Sequence, residues 1–310
     1  MITTEGFRHI LEIARQTVPG ERGSIYHWTK PSRVVPLERV YEISERISAS
    51  GEIIISLDQE QVRTLARQLK EEGIEVAAVS LINSYANTEH EDQLRRILLE
   101  EHPSLFLATS SETLCEFREY ERTLTTCINA VLMPLVSSYL DALVHRLQEL
   151  GGKSPLFVMK SAGGVVTADR AAAQPLSTAL SGPAAAVLGM AWLGQQSGFE
   201  NIISFDMGGT TAKTGLVRDG MPSVARDYEV GATAQTGTGA SRGAGYPIHT
   251  PVIDLVEIGS GGGSIGWVDS GGILRVGPQS AGADPGPVCY ARGGTQPTVT
   301  DANLVLGRLN

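Results

Sequence analysis

The sequence predicts an α/β fold built on a largely parallel, two-sided sheet, and three neighbouring stretches predict it. The first, "IIISL" at 53–57, reads as a buried strand, after which Asp58, with Gln61 three residues on, caps a helix whose apolar stripe is Val62, Leu65, Ala66 and Leu69. Gly73 ends that helix. The second and third, "VAAVSLI" (76–82) and "LFLAT" (105–109), are strands separated by a helix through Leu94, Ile97 and Leu98. Strand and helix therefore alternate.

From about Ser111 to Leu150 the pattern is helical, with Leu140, Leu143, Val144 and Leu147 on one face and Pro134 expected to kink or divide the run. Gly151 and Gly152 stop it. Strand "LFVMK" (156–160) and the turn "SAGG" precede "SGPAAAVLGMAWLG" (181–194), a helix whose small residues let another backbone come close. Beyond Asn201 glycine becomes frequent, and 232–245, "ATAQTGTGASRGAG", has the composition of a mobile loop or lid. The expected division is into residues 1–195 and 196–310.

At 310 residues and a formal net charge of -9, the chain can bury an ordinary core and argues against broad nucleic-acid or anionic-membrane binding. Any phosphate ligand must be held locally. The three cysteines, Cys115, Cys127 and Cys289, indicate neither a disulfide framework nor a metal site, and a reducing, cytoplasmic setting is expected. Cys115 and Cys127 read as buried small apolar groups. No apolar run reaches the roughly 18 residues of a membrane span.

Chemistry concentrates in "IISFDMGGTTAKTGLV" (202–217). A strand delivers Asp206 to its end, Gly208 and Gly209 make a tight turn, and the chain returns as a second strand. Glycine lets backbone N–H groups approach phosphate oxygens, and Thr210 and Thr211 add hydroxyl donors. Asp206 would repel phosphate directly, so its useful role is to hold Mg²⁺ through water or to orient that water. The same tetrapeptide also reads as a plain hairpin turn. A second cluster, "EIGSGGGSIGWV" (257–268), again follows an apolar strand, and reads either as a flexible turn or as a close backbone approach to a nucleotide.

The order "SGPAAAVLGM", "IISFDMGGTTAKTGLV", "GSGGGS" resembles the connecting helix, second phosphate loop and adenosine loop of the actin, sugar-kinase and heat-shock-chaperone ATPase fold, which is ribonuclease H-like and two-lobed. The stretches "TTEGFRHILEI", "NSYANTEHE", "CEFREYERT", "SGPAAA", "DMGGTT" and "LRVGPQSAGADPGPVCYARGGTQPTVTDANLVLGRL" resemble the hydantoinase A, 5-oxoprolinase and acetone carboxylase family along nearly the whole chain. The resemblance implies ATP-dependent phosphorylation of a carbonyl or enolate oxygen, with ATP and Mg²⁺ as cofactors. It carries over Asp206 as the catalytic Mg²⁺ partner, Gly208, Gly209, Thr210, Thr211 and Lys213 as phosphate contacts, and Gly261, Gly262, Gly263 and Ser264 as nucleotide contacts. It also implies a hydantoinase B-like partner in a hetero-oligomer and a ketone or cyclic amide substrate.

Ring-opening members typically read DMGGTSTD and tend to have His where Glu257 lies, so Lys213 in place of the final acid and Glu257 both resemble the ketone-carboxylase branch; alternation also allows Lys213 to point into solvent. The family usually has a first phosphate hairpin, DxGGTFTD, before "TTEGF" and continues past "DANLVLGRL". On that pattern the fold is expected to be incomplete at both ends, which leaves a degenerate interaction subunit that keeps the fold without turnover as the non-enzymatic alternative to a ketone carboxylase or a hydantoinase/5-oxoprolinase.

Arg118 and Arg122, one helical turn apart beside Glu119 and Glu121, read as a grip for an anion or, more simply, a solvated ion-pair face. Asp301 reads as a helix N-cap. None of the six histidines, His9, His27, His90, His102, His145 and His249, has paired metal spacing, and His249 is the candidate for substrate or metal contact.

Overall fold

The computed structural model describes residues 1–15, 31–230 and 245–310. His27 and residues 232–244 of the expected lid lie outside them. The chain divides into two compact units, one containing Met1–Ser181 with the described parts of 226–232 and 242–252, the other containing Gly182–Ala225 and Ile253–Asn310.

Alternation of side chains explains the first unit. Its strands β1 (Ile2–Thr4), β2 (Tyr41–Ile43), β3 (Val76–Ser80) and β4 (Phe106–Thr109) form an all-parallel sheet in the order β2-β1-β3-β4. Ala77, Val79 and Leu107 point to one face and join Val62, Leu65, Leu69, Leu94, Ile97 and Leu98 of helices α1 (Gln59–Glu71) and α2 (Glu89–Glu101). Ala78 and Ala108 point to the other and meet Cys127 and Ala130 of α3 (Glu119–Glu149). Each fully buried Val, Leu or Ile stabilises this layering by about 1.5–3 kcal/mol. The sheet is two-sided as expected.

Asp58 caps α1 by accepting from the amides of Glu60 and Gln61. The Gln61 side chain does not reciprocate, because its carbonyl oxygen takes the Ser44 amide at 2.8 Å just beyond β2. Residues Ile53–Ile55 are a strand but not a buried one; they pair with Arg46–Ile47 in a separate ribbon and stay exposed. Pro134 does not divide α3, which runs unbroken for 31 residues. Contrary to the sequence expectation, α3 is long and apolar enough for a membrane span, with a mean hydropathy of 1.6 over its best window. The part packed against the sheet nonetheless buries Glu121, Arg122 and Asn129, side chains that a lipid-facing surface excludes.

In the second unit, β5 (Ile202–Met207), β6 (Ala212–Arg218) and β7 (Leu255–Ile258) form an antiparallel sheet with β6 central. Helix α4 (Ser181–Gln196) packs on one face through Ala184, Val187 and Ala191, which meet Val217, Ile202 and Leu255. Small residues permit this approach on both sides. A Cβ at Gly215 would meet Val187 Cγ2 at 2.7 Å, and one at Gly194 would collide with Ile202. Helix α4, expected on the first side of the boundary, thus belongs with the second unit. A hairpin of β8 (Ser264–Val268) and β9 (Leu274–Ser280) and a short helix α5 (Val299–Val305) complete it.

Candidate nucleotide site

The hairpin β5–β6 turns through Gly208, Gly209, Thr210 and Thr211, closed by the Gly208 amide donating to Thr211 O at 3.0 Å. The amides of Gly209, Thr210 and Thr211 and both threonine hydroxyls have no protein partner among the described residues. Gly208, Gly209 and Thr210 are exposed, as is Asp206 at the end of β5. Unpaired, accessible backbone donors in a tight glycine turn are suited to binding an anion.

Asp206, Lys213 and Glu257 face one another across β5, β6 and β7 and share one face of the sheet. Lys213 is half-buried, with Nζ 3.8 Å from Glu257 Oε1. It is therefore held within a row of alternating charge rather than extended into solvent. Such cross-strand pairs contribute about 0.2–1 kcal/mol. The contacts of α4, Val187 on the middle row and Gly194 at the Ile202 end, direct its first turn toward the Asp206 end. A helix macrodipole is positive there, which favours an anion nearby.

The second glycine cluster serves the first. A Cβ at Gly261 would lie 2.6 Å from Gly209 C and O, and one at Gly263 would lie 3.0 Å from Gly209 O. The Gly262 amide donates to Gly208 O at 2.9 Å and the Gly263 amide to Gly209 O at 2.6 Å, while the Gly261 amide donates to the hydroxyl of buried Ser264 at 2.8 Å. The close approach predicted at Gly261, Gly262 and Gly263 is thus an approach to the hairpin, and their amides, like the Ser264 hydroxyl, are engaged within the protein. The free donors belong to 209–211.

His249, on strand Tyr246–Ile253, is flanked by carboxylates, with Asp227 Oδ1 2.6 Å from Nε2 and Glu116 Oε2 3.9 Å from Nδ1. No group of three His, Cys, Asp or Glu suited to a metal occurs among the described residues. Arg122 is fully buried, not part of a solvated face. Its guanidinium donates to Leu81 O and Ser110 Oγ, both at 2.9 Å, and to Ser84 and Glu119. Cys115 is exposed, because it precedes α3 instead of lying within it.

Two family models fit this chain: one described as hydantoinase/oxoprolinase matches residues 122–310, and one for the hydantoinase/oxoprolinase N-terminal region matches residues 1–102. The chain belongs to the hydantoinase/oxoprolinase family. It is 33% identical to the caprolactamase subunit alpha of Pseudomonas jessenii, over 100% of this chain and 42% of that one. It is 34% identical to the acetophenone carboxylase gamma subunit of Aromatoleum aromaticum, again over 100% of this chain and 42% of the relative. A nucleotide-free structure of acetone carboxylase, solved for the mechanism of ATP-dependent acetone carboxylation, superposes with a TM-score of 0.75 at 26% identity, covering 100% of this chain and 43% of that one. The α/β, actin-like ATPase class expected from the sequence is thereby met. The chain spans less than half the length of these relatives.

In this hydantoinase/oxoprolinase chain, sequence reasoning missed Thr300 and Ser280, whose hydroxyls meet the glycine loop. It also misplaced the cap: Thr298, not Asp301, is the N-cap of α5, and Asp301 stands three residues on as its reciprocal partner in a capping box. The T-x-x-D spacing in "TVTDANLVLG" carried that signal.

Proposed function

We propose that this chain is the ATP-handling part of a hydantoinase/oxoprolinase-type enzyme that activates a carbonyl or enol oxygen by phosphorylation. The observation that carries the reading is the turn 209–211, exposed at Gly209 and Thr210, whose three amides and two hydroxyls have no partner among the described residues and stand beside an equally unpaired carboxylate. In-line phosphoryl transfer asks for positioning and charge neutralisation more than for a protein nucleophile. The turn supplies donors for phosphate oxygens. Gly208 and Gly209, held from behind by the loop 261–263, keep those donors in place.

Asp206 fits a water-mediated magnesium site, since it is exposed and makes no hydrogen bond or ion pair among the described residues, and Mg²⁺ keeps most of its waters when one carboxylate and phosphates hold it. The metal, when bound, neutralises phosphate charge. Lys213 adds positive charge to the same face, with Glu257 fixing its direction.

Ketone carboxylation is the preferred branch, on the strength of Lys213; ring opening of a cyclic amide is the alternative, since the chain is as similar to a caprolactamase as to a carboxylase. A cytoplasmic hetero-oligomer with a hydantoinase B-like subunit is part of this proposal, supported by relatives named as alpha and gamma subunits. The test is consumption assayed on the assembled enzyme. Bicarbonate used together with a ketone and ATP upholds the carboxylase branch, whereas amino-acid release from a lactam replaces it with the hydrolase branch.

A further inference from the structure

The first turn of α5 carries more polar contacts than its packing explains. None of its seven residues is buried, so apolar burial does not specify where it sits. Asp301 nonetheless accepts from Thr298 N and Thr298 Oγ1, both at 2.8 Å, from Cys289 N at 2.7 Å and from Val288 N at 3.2 Å. Thr300, beside it, donates twice to one carbonyl: its amide and its hydroxyl each lie 2.8 Å from Gly262 O. The amide of that same Gly262 donates to Gly208 O in the phosphate hairpin. A second tie holds the far end of the loop, where the Gly266 amide donates to Pro297 O at 2.8 Å and Ile265 bridges Thr298.

We propose that Thr300 and Asp301 are positioning residues for the phosphate hairpin, acting through Gly262; this rests on the nucleotide reading of that hairpin. Asp301 fixes the first turn of α5, that turn fixes the Gly262 carbonyl, and the amide on the other side of the Gly262 Cα holds Gly208 O. The chain of contacts is short and has no slack, because a Cβ at Gly262 would lie 2.8 Å from Thr300 Oγ1. An unmoored Gly262 would let Gly208 and Gly209 shift, and the free amides of 209–211 would shift with them. A cap that served α5 alone would end its influence at residue 298.

The experiment compares Thr300→Val, which keeps the shape and the amide but removes the hydroxyl donor, with Thr300→Ser, which restores the donor. Amide hydrogen exchange without nucleotide should quicken in 208–211 as well as in 259–263 for Thr300→Val, and ATP affinity should fall about fivefold, the loss of one hydrogen bond. Thr300→Ser should recover both. Quickened exchange confined to 298–305, with ATP affinity unchanged, overturns the proposal. A Gly209→Val control distinguishes the two levels: unchanged ATP affinity there contradicts the nucleotide reading itself, whereas lost affinity there with an unaffected Thr300→Val contradicts only the positioning role.

Discussion

The carboxyl edge of the parallel sheet and the turn of the β5–β6 hairpin are both polar clusters at strand ends, yet one is closed and the other open. At the closed edge, Glu91 accepts from Leu81 N at 2.9 Å, Ser110 Oγ at 2.6 Å and Ser111 N at 2.8 Å, and Arg122 fills the remaining space. His90 Nδ1 lies 2.7 Å from Glu45 Oε2 with both side chains buried, and Thr4 also reaches Glu45. Nearly every donor there is spent on the protein. At the hairpin the donors of 209–211 have no partner among the described residues, and Gly209 and Thr210 are exposed. Position at a strand end does not by itself make a site, and unsatisfied, accessible donors do.

The contrast breaks most visibly under substitution. Arg122→Met should destabilise the chain by about 3–5 kcal/mol in urea unfolding, because it strips a charged donor from Leu81 O and from the buried Ser84 and Ser110 hydroxyls and leaves Glu119 only the long bond from Asn83 N. Thr210→Ala with Thr211→Ala should change stability by less than about 0.5 kcal/mol in the same assay, as expected of an exposed and a half-buried side chain without hydrogen-bond partners among the described residues. Equal losses at both places would erase the distinction. Between these extremes, Gly261→Ala should cost about 1–3 kcal/mol by forcing a Cβ against the hairpin backbone, and should weaken ATP binding as well. A stability loss with unchanged ATP affinity would separate the loop from the site.

How much of this was legible depends on which rule each residue obeys. Periodicity found the α1 stripe, because Val62, Leu65, Ala66 and Leu69 are apolar for a reason that local sequence shows. It also found the hairpin, since Asp-x-Gly-Gly between two apolar alternations has few other uses. The direction of the Gly261–Gly263 contacts was not legible, because a glycine shows that something comes close but not what. Arg122 and the exposed Ile53–Ile55 strand failed for one reason: charge and hydrophobicity are read locally, while burial is decided by which strands pair. Thr300 needed contact across 38 residues of chain.

Acid sharpens the comparison further. Burial alone would raise the Asp301 carboxyl, but hydrogen bonds from Cys289 and Thr298 outweigh it and hold that group well below the usual carboxylate range. A depressed folded value means that its stabilisation is complete above the unfolded pKa of about 3.9 and is lost as pH falls toward the folded value. Stability measured from pH 5 to pH 2 should decline, and Asp301→Asn should flatten that decline. An unchanged slope would remove Asp301 from its role in the second unit. The smallest effect is chemical: Cys115, exposed, should react first with a thiol reagent at pH 8, and Cys127, pushed up to about 11 by burial, should react last.

The most direct measurement is calorimetric titration of the protein with Mg·ATP, comparing the native sequence with Thr210→Ala/Thr211→Ala. The structure predicts a roughly 10–100-fold loss of affinity in the variant, the scale of hydrogen bonds to a charged group, with the melting temperature unchanged. Native-like affinity in a folded variant would contradict the assignment of the hairpin to nucleotide phosphate.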